Sequence, residues 1–150
     1  MSVGVLIITH NAIGEQLLAA ATATLGFCPI NTASLAVQRD CDVDAVEHAA
    51  LALIDELDED GQGVLVLTDA LGATPSNIGS RLAGKRPLTV VAGVNLPMLL
   101  RLFNYPSLSL DELAAKAISG GLDGVVMVNR ADAHSASAAS RRAAQCLNGK

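Results

Sequence analysis

The chain has 150 residues, 51% of them hydrophobic and 17% charged, with a net charge of −5 at pH 7. That composition describes one domain with a packable core and excludes a disordered chain. Aromatics are only 2% (Phe27, Phe103 and Tyr105) and Trp is absent, so the core is expected to be aliphatic, and neither the stacking platform of a single-strand nucleic-acid binder nor the basic face of a phosphate-backbone binder is available.

Residues 3–9 are a short apolar run rich in β-branched side chains, apolar on both faces, and predict a buried parallel strand. The first basic residue is Arg39, so this run lacks the positive flank of an export signal. A helical pattern follows over residues 12–25, with Ile13, Leu17, Leu18, Ala21 and Leu25 on one face and Gly26 and Pro29 as stops. Residues 16–38 carry no charge, but Gly26, Pro29 and Asn31 interrupt them. A membrane-spanning helix needs about 20 mainly apolar residues, so helix, turn and strand are expected here instead. Residues 32–38 are the second strand.

Asp44 and Glu47 have the spacing of a capping box at the head of a second helix, whose stripe is Val46, Ala50, Leu53, Ile54 and Leu57. Residues 63–69 predict a third strand. Thr74-Pro75 has the pattern of an N-cap followed by Pro in the first turn, for a helix ending near Ala83 and Gly84. Residues 88–94 predict a fourth strand and 97–103 a short helix. Ser109 and Glu112 form another capping box, for a helix ending near Ser119 with Gly120-Gly121 as its stop. Residues 124–128 predict a fifth strand, and 131–150 an Ala/Ser-rich tail or helix. This alternation implies an α/β fold with a mainly parallel open sheet.

In such sheets ligands bind outside the carboxyl ends of the strands. His10, Asp69 and Asn95 each follow an apolar strand, and Asn129 follows the fifth. A histidine there can take a covalent group or shuttle a proton, or it can be a helix-flanking polar residue. Asp69 can fix an imidazole's tautomer and stabilise its cation, or it can be a loop cap. Gly72-Ala73-Thr74-Pro75-Ser76-Asn77 runs a glycine turn into a helix N-terminus. Such a turn presents free N–H groups to an anion, with Thr74 and Ser76 as further hydroxyl donors, or it is an ordinary capped helix. It is neither a Walker A loop nor a dinucleotide fingerprint. His48 lies off its helix's apolar stripe and His134 in the tail, and neither has metal-ligand spacing. Cys28, Cys41 and Cys146 suit reduced thiols in the cytoplasm. No metal or cofactor is expected.

Three segments together resemble the EIIA component of the mannose-family sugar phosphotransferase system. Gly4-Val5-Leu6-Ile7-Ile8-Thr9-His10 is similar to that family's strand ending in Thr-His. Thr68-Asp69 through Gly72-Ala73-Thr74-Pro75-Ser76-Asn77 is similar to its Asp-x-x-Gly-Gly-Ser/Thr-Pro-x-Asn stretch. Ala92-Gly93-Val94-Asn95-Leu96-Pro97-Met98-Leu99 is similar to its Gly-Val-Asn-Leu-Pro-Met-Leu segment. Order and spacing agree over residues 1–128. Asn11 stands where the family usually has Gly, and Ala73 replaces its second Gly.

The resemblance implies a cytoplasmic phosphocarrier in which His10 accepts a phosphoryl group from phospho-HPr and passes it to an EIIB protein. It further implies that Asp69 holds the Nδ1 hydrogen and leaves Nε2 as nucleophile. Gly72, Ala73, Thr74 and Ser76 would then bind the phosphoryl oxygens, and an antiparallel fifth strand would be exchanged in a homodimer. A regulatory module reporting the phosphorylation state of His10, the phosphotransferase subunit of dihydroxyacetone kinase, and a small-anion enzyme at the same edge are alternatives.

Overall fold

The computed structural model of the chain describes residues 2–129. Four strands, β1 (Gly4–His10), β2 (Thr32–Val37), β3 (Val64–Thr68) and β4 (Leu88–Ala92), form one parallel sheet in the order β2-β1-β3-β4. Five helices accompany them: α1 (Ile13–Leu25), α2 (Val43–Leu57), α3 (Thr74–Ala83), α4 (Leu96–Leu102) and α5 (Leu110–Asp123). No described helix is long and apolar enough to cross a membrane.

The double-sided apolar runs reflect two cores. Val5 and Ile7 of β1 and Leu65 and Leu67 of β3 face α1, α4 and α5, through Ala21, Leu99, Leu102, Leu113 and Ala117. Leu6, Ile8, Val64 and Val66 point the other way, against Ala50, Ile54 and Leu57 of α2 and Ile78 and Leu82 of α3. Alternation along a strand sends successive side chains to opposite faces, so a sheet covered on both sides reads as continuous hydrophobicity. The α/β architecture with helices on both faces is as expected.

Four local expectations are corrected. The cap of α2 is Asp42, whose Oδ1 accepts from the N–H groups of Asp44 (3.0 Å) and Ala45 (3.4 Å). Glu47 is no capping partner: it is buried and ion-paired to Arg81 of α3 (2.8 Å) and to Lys85 just beyond that helix. Thr74 is the first residue of α3 and not its cap, which is Ala73, with no side chain capping the end. α5 does not stop at Gly120-Gly121 but runs through them to Asp123. A Cβ on Gly120 would lie 2.5 Å from Arg101 Cβ, and one on Gly121 2.9 Å from Met98 Cε. These glycines therefore let α5 approach α4 rather than end the helix.

The fifth strand expected over 124–128 is absent from the single chain. Val125, Val126, Met127 and Val128 follow α5 without strand structure and are exposed by 77%, 47%, 55% and 85%. A strand must place its N–H and C=O groups on a neighbour, and no described strand of this chain pairs with it. The tail, 131–150, lies outside the described residues.

Candidate functional site

The register builds the site from two central strands. Ile8 of β1 pairs with Thr68 of β3, and His10 with Val37 of β2. His10, the last residue of β1, thereby meets Asp69, the first residue beyond β3. A single carboxylate oxygen, Asp69 Oδ2, accepts from the His10 backbone N–H at 2.9 Å and lies 2.7 Å from its Nδ1. Asp69 Oδ1 accepts from Ala70 N–H at 2.8 Å. Burial pushes the Asp69 carboxyl upward, but the His10 backbone and ring bonds, the Ala70 bond and the imidazole's charge together outweigh it and hold the group below its ordinary value of 3.8. An ionised carboxylate only accepts, so the ring nitrogen facing it carries the proton. In the neutral imidazole Nε2 then holds the lone pair. The His10 side chain is 45% exposed and that of Asp69 15%.

The turn after His10 depends on residues that sequence reasoning left without a role. Asn11 takes φ +49°, a left-handed conformation that Asn tolerates nearly as Gly does, which accounts for the departure at this position. Its N–H reaches Val37 C=O at 3.1 Å. Thr9, fully buried, accepts the Gly14 N–H on its hydroxyl at 2.7 Å and so substitutes for a missing side-chain cap on α1.

On the second loop the positive φ falls at Gly72 (+84°). Ala73 has φ −85°, which any L-residue adopts, so its replacement of Gly leaves the loop intact. The Ser76 hydroxyl accepts from Gly72 N–H at 2.9 Å and donates to Ala73 C=O at 3.2 Å. It braces the loop from a buried position, and the expectation of a free Ser76 hydroxyl donor is corrected. What the loop presents is Thr74 and the uncapped first-turn N–H groups of α3, with no acidic residue among them. Such an end attracts anions.

An open cleft of about 420 Å³ is lined by His10, Asn11, Gln38, Arg39, Cys41 and Thr74, among others. His10 and Thr74 thus share one space, with Asp69 fixed to His10 and Gly72, Ala73 and Ser76 shaping the turn into Thr74. Asn95 is not in the site: its Oδ1 accepts from Met98 N–H (2.9 Å) as the cap of α4, and its Nδ2 donates to Gly121 C=O (3.1 Å). The loop ahead of it matters indirectly. Gly93 N–H reaches both Thr68 C=O (2.9 Å) and Asp69 C=O (2.7 Å), tying down the backbone that carries the carboxylate. His48 is exposed on α2, and His134 lies outside the described residues. Arg39, which the sequence reading gave no part in a site, comes to the cleft through the β1–β2 pairing, a contact no local motif announces.

Residues 4–118 match the family model EIIA-man, described as the PTS system fructose IIA component. The PTS system mannose-specific EIIAB component of Escherichia coli strain K12 is 34% identical over 137 residues, covering 83% of this chain and 39% of that protein. The chain therefore spans about two-fifths of the length of the curated relatives it matches. The mannose/sorbose-specific IIA subunit of the phosphotransferase system from Enterococcus faecalis superposes with a TM-score of 0.77 at 27% identity, covering 87% of this chain and 97% of that one. The phosphotransferase system component EIIA from Streptococcus agalactiae shares the fold, with a TM-score of 0.73 at 24% identity over 83% and 96% of the two chains. A match through all four strands and four of the five helices places the chain in a known lineage: it belongs to the EIIA-man family, the IIA components of the sugar phosphotransferase system.

Proposed function

We propose that the chain is a phosphocarrier that takes a phosphoryl group from the phosphohistidine of HPr onto His10 and gives it to a histidine of an EIIB protein. The observation that carries the reading is the contact of Asp69 Oδ2 with His10 Nδ1 at 2.7 Å, which puts the proton of the neutral imidazole on Nδ1 and its lone pair on Nε2, in the cleft shared with Thr74. The Nε2 lone pair forms a bond to phosphorus as the donor's P–N bond breaks, and the departing electron pair stays on the donor ring. Nδ1 keeps its proton throughout. The His10 ring becomes cationic as phosphorus is bound, and the Asp69 carboxylate offsets that charge. The first-turn N–H groups of α3 and Thr74 face the phosphoryl oxygens. Such transfer is a matter of alignment and charge stabilisation. Exchange between two phosphohistidines is nearly balanced in energy, so neither ATP nor a metal ion is required. Residues 124–128, whose Val125, Val126, Met127 and Val128 are exposed, pair as a strand with a second copy of the chain.

The test is incubation with phosphoenolpyruvate, enzyme I and HPr, followed by intact mass measurement. The chain is expected to gain one acid-labile, base-stable phosphoryl group. His10→Ala abolishes the gain and His48→Ala keeps it. Labelling that survives in His10→Ala rules out the assignment.

A further inference from the structure

The described residues include six Lys or Arg side chains, and five are engaged within the chain. Arg81 pairs with Asp44 and Glu47, Lys85 with Glu47, Arg86 with Asp55 and Arg101 with Asp123, while Lys116 lies 4.5 Å from the Tyr105 ring centre. Arg39 alone among them has neither an ion pair nor a ring contact, although Asp40 and Asp42 are close in sequence. It is exposed, and it lines the cleft that holds His10 and Thr74.

Its position follows from the register. His10 pairs with Val37, and Asn11 N–H bonds Val37 C=O, so the chain leaving β2 through Gln38 and Arg39 runs beside the His10–Asn11 turn. The other polar groups lining the cleft, Asn11, Gln38, Cys41 and Thr74, carry no formal charge in their ordinary states. A phosphoryl group on Nε2 brings about two negative charges at neutral pH, onto a chain whose own net charge is −5. The head of α3 supplies only about half a positive charge. A guanidinium supplies a whole one, with paired donors matched to phosphoryl oxygens.

We propose that Arg39 is a further catalytic residue, closing on the phosphoryl group at His10 Nε2 from the loop that follows β2. The inference rests on the carrier reading above. In transfer, Arg39 stabilises charge on the equatorial oxygens while the P–N bonds exchange. In the phosphorylated resting form it holds the group as a dianion.

The experiment compares the full chain with Arg39→Gln and Arg39→Lys after phosphorylation by phospho-HPr, with long incubation for slow variants. Phosphorus NMR then follows titration of the phosphoryl group on His10. An adjacent cation favours the charged form and lowers the group's pKa. Arg39→Gln is therefore expected to raise it by roughly half a unit or more, a value discounted for the solvent exposure of this side chain. Arg39→Lys should restore most of the difference. The kcat/KM for transfer from phospho-HPr is expected to fall about tenfold or more in Arg39→Gln. Phosphorylation of the wild-type chain with an unmoved titration in Arg39→Gln overturns this inference and leaves the carrier reading standing. A slower rate with an unmoved titration also overturns it, because Arg39 would then serve donor docking. A wild-type chain that takes no phosphoryl group overturns both.

Discussion

Replacing Asp69 with Asn separates geometry from charge at His10, the histidine proposed to react. Asp69 receives three N–H groups: His10 N–H and Nδ1–H on Oδ2, and Ala70 N–H on Oδ1. An amide can serve only one side as acceptor. With its oxygen in the Oδ2 place, both His10 contacts survive and the amide NH₂ faces Ala70 N–H, which is exposed and can turn to water. With the amide reversed, the NH₂ faces the part-buried His10 N–H and forces the wrong ring tautomer. The first arrangement costs less, so Asp69→Asn retains the nucleophilic tautomer and loses chiefly the negative charge. Two unit charges about 4 Å apart interact by about 4 kcal/mol at an effective dielectric of about 20. The 45% exposure of the His10 side chain reduces that. We therefore expect transfer from phospho-HPr to slow by roughly 10–100-fold, about 1.4–2.7 kcal/mol of barrier. Exchanging one hydrogen bond for hydration should cost about 1 kcal/mol of stability or less. A timed transfer assay beside a melting curve reads both. A wild-type rate would remove Asp69 from the mechanism, and a slow variant that is largely unfolded at assay temperature would make the residue structural.

Three further outcomes follow from the packing. The Glu47 carboxyl is held below its ordinary value of 4.5 by its hydrogen bond to Lys85, against the opposing effect of burial and with help from the charges of Arg81 and Lys85. A depressed pKa contributes stability above the ordinary value that is lost as pH falls through the depressed one. Glu47→Gln should thus lower the melting temperature at pH 7, with the gap to wild type narrowing as pH falls below the ordinary carboxyl value of 4.5; a gap independent of pH would refute the ion-pair account. Gly120→Ala would set a Cβ 2.5 Å from Arg101 Cβ. Overpacking of this kind costs about 1–3 kcal/mol, so a melting point lowered by several degrees is expected and an unchanged one contradicts the packing. Light scattering of the full chain should give about twice the 15.3 kDa chain mass, and Val126→Lys should shift the mass toward one chain. A wild-type monomer at micromolar concentration would rule out strand pairing between copies.

The elements that the sequence made legible are those whose signal is local. β1 and β3 are continuous apolar runs because both faces are covered, and the Ser109–Glu112 box caps α5, with Ser109 accepting from Glu112 N–H and donating to its carboxylate. His10 and Asp69 were legible because strand ends carry ligand sites in this class of sheet. What stayed hidden depends on neighbours far along the chain. Gly120-Gly121 resembles a helix stop until α4 is seen against it. Glu47 has capping spacing but turns to α3, and the Ser76 hydroxyl is occupied by its own loop. Thr9 looks like one more strand residue although it anchors α1. The role of the Gly93 segment in pinning Asp69 is invisible without the β3–β4 pairing that brings it there.

The order β2-β1-β3-β4 places both residues of the pair at the ends of the two interior strands. Interior strands with both faces packed belong to the portion of a fold that opens least often, and amide exchange there tracks global unfolding. The histidine and carboxylate are consequently held by the slowest-opening part of the molecule, whereas Gln38 and Arg39 follow an edge strand. A carrier must meet two proteins in turn with one nucleophile. Under the proposed function, with the His10–Asp69 pair mounted on the interior strands, accommodation to each visitor would fall to the edge-strand loop and the head of α3, and both encounters would use the same interior-strand pair.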